Sequence, residues 1–205
     1  GPGTGYQLSK ERRDEIIKVR NELDKESVLQ TEAIHGVKEK SRIIYRVKEE
    51  AGVSGDGNEV VLAISPAFGV KFFQTLAGHP LSEVLDNIKR GIESKNKTMR
   101  VVRCLHTADT SFLGLSAARL SGSGIGIGLQ AKGTAVIHQK DRLPHNNLEL
   151  FSNAPITKLS HYFLLGSNAA EYVASNWPEP IMVPNNGEAL GARFHTRVAL
   201  IFAIE

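Results

Sequence analysis

The sequence predicts an α/β protein: an open, mostly parallel sheet with flanking helices, preceded by an N-terminal helical extension. Three observations carry this. Val60-Val61-Leu62-Ala63-Ile64 is a continuous apolar run, the signature of a strand buried on both faces. An amphipathic stretch follows, with Val84, Leu85, Ile88 and Ile92 at helical spacing, and Met99-Arg100-Val101-Val102-Arg103-Cys104-Leu105 then reads as a second strand. Strand, helix, strand in that order implies a right-handed crossover and a parallel pairing.

Taken in order, residues 1–5 (Gly-Pro-Gly-Thr-Gly) read as a cloning remnant and are set aside. Residues 6–51 are rich in charges of both signs, with Ile16, Val19 and Leu23 at helical spacing, and are predicted to form one or two amphipathic helices broken near Gly36. Gly52-Val53-Ser54-Gly55-Asp56-Gly57-Asn58 reads as a flexible connector and a boundary, so that residues 58–205 form the main domain. Ser82 is placed to cap the helix after the first strand. Thr107-Ala108-Asp109-Thr110-Ser111 falls where the second strand ends, the edge at which open α/β sheets bind ligands. Residues 122–128 and Thr134-Ala135-Val136-Ile137-His138 supply further strands. Thr157 is placed to cap a helix reaching about Ser175, with Leu159, Tyr162, Phe163, Ala169, Ala170 and Val173 inward. Arg197–Ile204 reads as a last strand.

Composition narrows the function. The 205 residues are 41% hydrophobic and 23% charged, as in an ordinary globular domain. A net charge of +3 and 6% aromatics argue against a nucleic-acid partner. A single cysteine, Cys104, sits in an apolar run, reads as a small buried hydrophobe, and fits a reducing cytoplasmic compartment. No apolar run is long enough to predict a membrane span.

The stretch 119–139, RLSGSGIGIGLQAKGTAVIHQ, is the most distinctive part of the chain. Gly122, Gly124, Gly126 and Gly128 alternate with small or β-branched residues, which allows a backbone to lie flush against something bulky. A dinucleotide fingerprint would need a third glycine where Ile127 or Leu129 stands, and a phosphate loop would need glycine at Ala131 and a hydroxyl at Gly133. Both are therefore rejected. The plain alternative is a glycine-marked strand at a sheet edge or bulge with nothing bound. Lys132 reads either as a solvated charge or as a point contact to a phosphate. Asp109 reads either as a turn or helix cap or as an acceptor for ligand amide or hydroxyl donors. A triad from Ser121 or Ser123 with His138 and Asp109 lacks the G-x-S-x-G turn. The seven histidines include no H-E-x-x-H, and His106 with Asp109 is one pair, too few for a metal site. No convincing catalytic apparatus is present.

Several segments closely resemble a known family. They are Glu59-Val60-Val61, Ser65-Pro66-Ala67-Phe68, the run from Arg119 to Gly128, Lys132-Gly133-Thr134, Val136-Ile137-His138-Gln139, and Asn147-Leu148-Glu149-Leu150-Phe151-Ser152. In order and nearly in spacing, over residues 58–204, they resemble the medium subunit of adenosylcobalamin-dependent diol and glycerol dehydratases. The resemblance implies a Rossmann-like domain that holds the nucleotide side of adenosylcobalamin against a large catalytic barrel subunit. That barrel subunit turns 1,2-propanediol or glycerol into an aldehyde and water. It implies no catalytic residue and no metal ligand on this chain. It implies cofactor contacts at Lys132 (phosphodiester), Asp109 (corrin amides), and His145, Asn147 and Ser152 (base and nucleotide). The glycine run would then be part of a platform for the corrin. The implied partners are the large and small subunits, in a dimer of heterotrimers, and a reactivating factor. The implied location is the cytoplasm, for many relatives inside a bacterial microcompartment. The absence of D-x-H-x-x-G implies base-on cobalamin. The chain departs from the family at His145-Asn146, where close relatives have Leu-Ser, and around Gly191-Ala192-Arg193, where an Arg-Pro-Lys is replaced. The rival expectation is the small subunit of the reactivating factor, a protein-interaction module that shares the core but should lack the Gly122–His138 run with Lys132.

Overall fold

In the computed structural model, the described residues are 14, 18, 51–151, 157–183, 201, 203 and 204. The elements are β1 (Glu59–Ile64), α1 (Leu81–Glu93), β2 (Thr98–Arg103), α2 (Thr110–Leu120), β3 (Ile125–Leu129), β4 (Ala135–Gln139), β5 (Glu149–Phe151) and α3 (Leu159–Val173).

The strands form one sheet in the order β2-β1-β3-β4-β5. β1 runs parallel to β2 and to β3, with Leu62 opposite Val101 and Ile127. β4 is antiparallel to β3, with Ile137 opposite Ile127, and β5 is antiparallel to β4. The expected mostly parallel sheet is therefore corrected to a mixed one. The reason lies in the connections: helices α1 and α2 carry the chain back for parallel pairing, whereas residues 130–134 between β3 and β4 suffice only for a hairpin.

The sheet is covered on both faces. Val60, Leu62, Ile64, Ile125, Ile127, Leu129 and Ile137 pack against α1 and α3 through Leu85, Ile88, Ile92, Tyr162, Leu165 and Ala169. Val61, Ala63, Val102 and Cys104 pack on the opposite face against Leu113 and Ala117 of α2. The odd–even division along β1 follows from strand geometry, in which successive side chains point to opposite faces.

Helix boundaries differ from the expected ones by a residue or two. Pro80, not Ser82, precedes α1, at φ −54° and ψ 133°. Lys158, not Thr157, precedes α3, and its N–H donates to His161 Nδ1 at 3.0 Å. Thr157 is buried, and its carbonyl faces His79 Nε2 at 2.8 Å. The connector at 52–58 lies along the domain: Ser54 N–H donates to the Leu120 carbonyl at 2.9 Å. Asp14 and Lys18 are helical and exposed, Ala51 is half-buried and not helical, and the rest of the expected N-terminal extension lies outside the described residues. Of the strand expected over 197–204, Ile201, Ala203 and Ile204 are described, and they are helical. An unbroken apolar run has no period with which to tell the two apart.

Candidate functional site

The start of α2 brings together three of the predicted residues, Asp109, His145 and Asn147. Asp109 is its N-cap, and its Oδ1 accepts from the backbone N–H of Ser111 at 2.9 Å and of Phe112 at 3.1 Å. This satisfies two donors that a helix N-terminus leaves unpaired. The capping reading of Asp109 is thus observed. The cap sits beyond the carboxyl end of β2, beside the carboxyl end of β3. Gln130, just after β3, donates through Nε2 to the Ala108 carbonyl. That bond joins the turn carrying Lys132 to the residue preceding the cap.

The segment after β4 closes over the same helix start. Asn147 Nδ2 donates to Ser111 Oγ at 3.3 Å. The exposed His145 ring meets Phe112 edge-to-face, centroids 5.8 Å apart. Two buried oxygens here, Asn147 Oδ1 and Gln130 Oε1, have no hydrogen-bond partner among the described residues. A buried acceptor left unpaired is costly, and such atoms mark places where a ligand or water belongs. Lys132 is half-buried, with its carbonyl held by the Leu76 N–H at 3.1 Å. Ser152 lies outside the described residues. Ser111 was named only as part of the stretch ending the second strand, and Gln130 and Phe112 were not singled out by sequence reasoning. The only available signal was the position of Gln130 at a strand's carboxyl end, two residues before Lys132.

Behind the site, Glu149 ties β5 to α3. Its Oε1 accepts from Asn168 Nδ2 at 2.9 Å and from the Tyr172 hydroxyl at 3.1 Å, and its Oε2 accepts from the Ile181 N–H at 3.2 Å. Burial pushes the Glu149 carboxyl above its usual range, against the opposing pull of these bonds. The Tyr172 hydroxyl is pushed up to about 12 by burial and by the neighbouring Glu149 charge.

Among the described residues, the hydrolytic and metal alternatives find no geometry. The Ser121 and Ser123 hydroxyls both donate to the Glu59 carbonyl, at 2.7 and 2.6 Å. They sit at the far end of α2 from Asp109, about 18 Å away by helical rise. His138 is fully buried between the carbonyls of Gln139 and Pro144, the core role expected of it. Cys104 is buried as expected, with its sulfur 3.3 Å from His106 Nδ1. Among the described residues no group of three or more His, Cys, Asp or Glu side chains could hold a metal. No helix among them is long and apolar enough to cross a membrane.

The glycine run requires a correction. Its last two glycines, Gly126 and Gly128, lie in β3, the central strand rather than an edge. The object that Gly126 and Gly128 approach is α2: a Cβ on Gly126 would collide with the backbone of Ala117 and Ala118, and one on Gly128 with that of Gly114 and Thr110. The missing side chains let a helix lie directly on the sheet, so the glycines position the site from behind and do not form a ligand platform.

A family model described as dehydratase medium subunit matches residues 65–179, more than half of the chain. The chain belongs to the dehydratase medium subunit family. The match contains Asp109, Lys132, His145, Asn147 and Ser152 within its span. A medium subunit is one of several in a dehydratase, so partner subunits are implied. Among solved structures, the chain is similar to a glycerol dehydratase reactivase at 20% identity, covering 57% of this chain and 91% of that one, with a TM-score of 0.47. It is also similar to a diol dehydratase-reactivating factor complexed with ADP and Mg2+, at 18% identity, covering 62% and 95%, with a TM-score of 0.39. Likenesses this loose carry no argument about function, and the medium-subunit match does not favour the reactivating-factor reading.

Proposed function

We propose that this medium subunit is the non-catalytic, cofactor-holding chain of an adenosylcobalamin-dependent diol or glycerol dehydratase, which converts 1,2-propanediol or glycerol to an aldehyde and water. The observation that carries this is the cluster at the start of α2, where the oxygens of Asn147 and Gln130 that have no partner among the described residues lie with Asp109 and the Lys132 turn. The donor set suits the nucleotide side of base-on cobalamin. Lys132 offers one cation to the phosphodiester. Asn147 and Gln130, with Asp109 Oδ2, offer acceptors to corrin and nucleotide amide or hydroxyl groups. His145 with Phe112, and Ser152, complete the contacts to the base and nucleotide. When bound, the cofactor would supply radical chemistry to a substrate held on the large subunit. This chain's residues bind and orient it, and exclude water from its underside.

The resemblance further supports a large barrel subunit and a small subunit as partners, in a dimer of heterotrimers, and a reactivating factor that services the assembly. It also supports a place in the cytoplasm, within a bacterial microcompartment where one is formed.

Co-expression with a large and a small dehydratase subunit tests the reading. The expected result is a complex that dehydrates a diol when adenosylcobalamin is added, and failure to co-purify with a barrel subunit overturns it. Within that complex, Lys132→Ala removes a charge-assisted contact worth about 1.5–3 kcal/mol. Cobalamin affinity should fall by about one to two orders of magnitude. Unchanged affinity would overturn the phosphate assignment.

A further inference from the structure

We propose that Tyr162 is a positioning residue for the cofactor site: its hydroxyl, reaching out of α3, holds the backbone of the turn that presents Lys132. This rests on the reading of Lys132 as a phosphate contact. Tyr162 is fully buried in the first turns of α3, and its hydroxyl donates to the Gly133 carbonyl at 2.7 Å. Burial raises the phenol far above its ordinary range, so the group stays a donor. The preceding carbonyl, that of Lys132, accepts from the Leu76 N–H at 3.1 Å. Inside the turn, Gly133 N–H donates to the Gln130 carbonyl and Gln130 N–H to the Thr134 carbonyl, each at 2.9 Å. The carbonyls at 132 and 133 are therefore spent on donors from two other parts of the fold, and the Lys132 backbone is clamped between them.

Gly133 makes the clamp possible. Its φ is +101°, and a Cβ there would meet the Tyr162 hydroxyl and the Thr75 side chain. Phenylalanine would fill the same core space without burying a hydroxyl, which costs free energy unless the hydrogen bond is made. The bond to Gly133 meets that cost, and it acts on the residue next to Lys132. Fixing that backbone lowers the ordering cost of engaging an anion.

The test uses the assembled dehydratase and equilibrium dialysis with two probes: cyanocobalamin, and cobinamide, which lacks the nucleotide and its phosphate. Tyr162→Phe is expected to weaken cobalamin binding about fivefold, the scale of one neutral hydrogen bond. Cobinamide binding should be unchanged. In a Lys132→Ala background, Tyr162→Phe should produce no additional loss. If Lys132→Ala weakens cobalamin binding and Tyr162→Phe does not, the positioning role is overturned while the phosphate reading stands. If Lys132→Ala has no effect, the phosphate reading fails and the inference fails with it. Equal losses for both probes, or a loss additive to that of Lys132→Ala, would show Tyr162 to be a structural residue only and overturn the proposal. Gly133→Ala is the second variant: it strains the same turn at a positive φ and sets a Cβ against the Tyr162 hydroxyl, while the phenol itself is kept. It should weaken cobalamin binding more than Tyr162→Phe and leave cobinamide binding unchanged; equal loss on the two probes would count against the proposal.

Discussion

One face of the sheet presents Leu62, Ile64, Ile127 and Leu129 to helices α1 and α3, whereas the other presents Gly126 and Gly128 to the backbone of α2. The first face is held by apolar bulk. Its helices stand off by the width of interleaved side chains, and its contribution scales with the area removed from water. The second face is held by closeness. Bare backbone on β3 lets α2 settle directly on the sheet, which fixes where that helix starts. Since Asp109, Ser111 and Phe112 form that start, and Asn147, His145 and Gln130 are bound to it, the thin face is the one that sets the site's geometry. Stability resides mainly on one side of the sheet and precision on the other.

Substitutions on each face can break this contrast. Ile127→Ala, on the thick face, is expected to cost about 2–5 kcal/mol of stability through lost burial and a residual cavity. Cofactor affinity in the folded complex should change little. Gly126→Ala, on the thin face, should cost less, about 1–3 kcal/mol for overpacking, yet displace α2 and weaken cobalamin binding. Chemical denaturation together with dialysis separates the two, and equal effects on affinity would dissolve the distinction. Smaller again, Asp109→Ala should destabilise by about 0.5–2 kcal/mol through loss of the cap. Asp109→Asn keeps the capping oxygen, so thermal unfolding should show it near wild type; a loss of cobalamin affinity in that variant would then report the charge itself.

The smallest effect is a pH dependence from behind the site. The folded carboxyl of Glu149 lies above its ordinary 4.5, with burial the main cause, so the folded state holds this proton more tightly than the unfolded one. Stability from this group is present below 4.5 and is lost as pH rises from there through the folded value. Glu149→Gln should flatten that part of a stability–pH curve, and an unchanged slope would show that the group does not carry it.

Much of this was legible in the residues. The unbroken apolar run marked β1, the Val-rich segment at 99–105 marked β2, and the 3.6-residue period marked α1; Asp109 was read as a turn or helix cap, but the helix it caps was not predicted. The rejection of both nucleotide loops from Gly122–Gly133 stands with a β-strand there. Other features were not legible. The glycine pattern said that something comes close, but not what, and the neighbour proved to be a helix of the same chain. Pairing direction for β4 was missed because periodicity along a strand is the same for parallel and antiparallel neighbours. Gln130 was missed because nothing local distinguishes an amide at a strand end from any other.

The sequence by itself determined the α/β class, the medium-subunit resemblance and the residues worth watching, because these depend on local period, turn chemistry and motif order. Only the tertiary structure decided that the sheet is mixed, that Gly126 and Gly128 seat α2, that two amide oxygens have no partner among the described residues, and that Tyr162 reaches across from α3 to the Lys132 turn. Those facts depend on contacts between residues far apart in the chain, such as Gly133 with Tyr162 or Ser111 with Asn147. Local propensity carries no information about such distances; they are set when the helices pack onto the sheet.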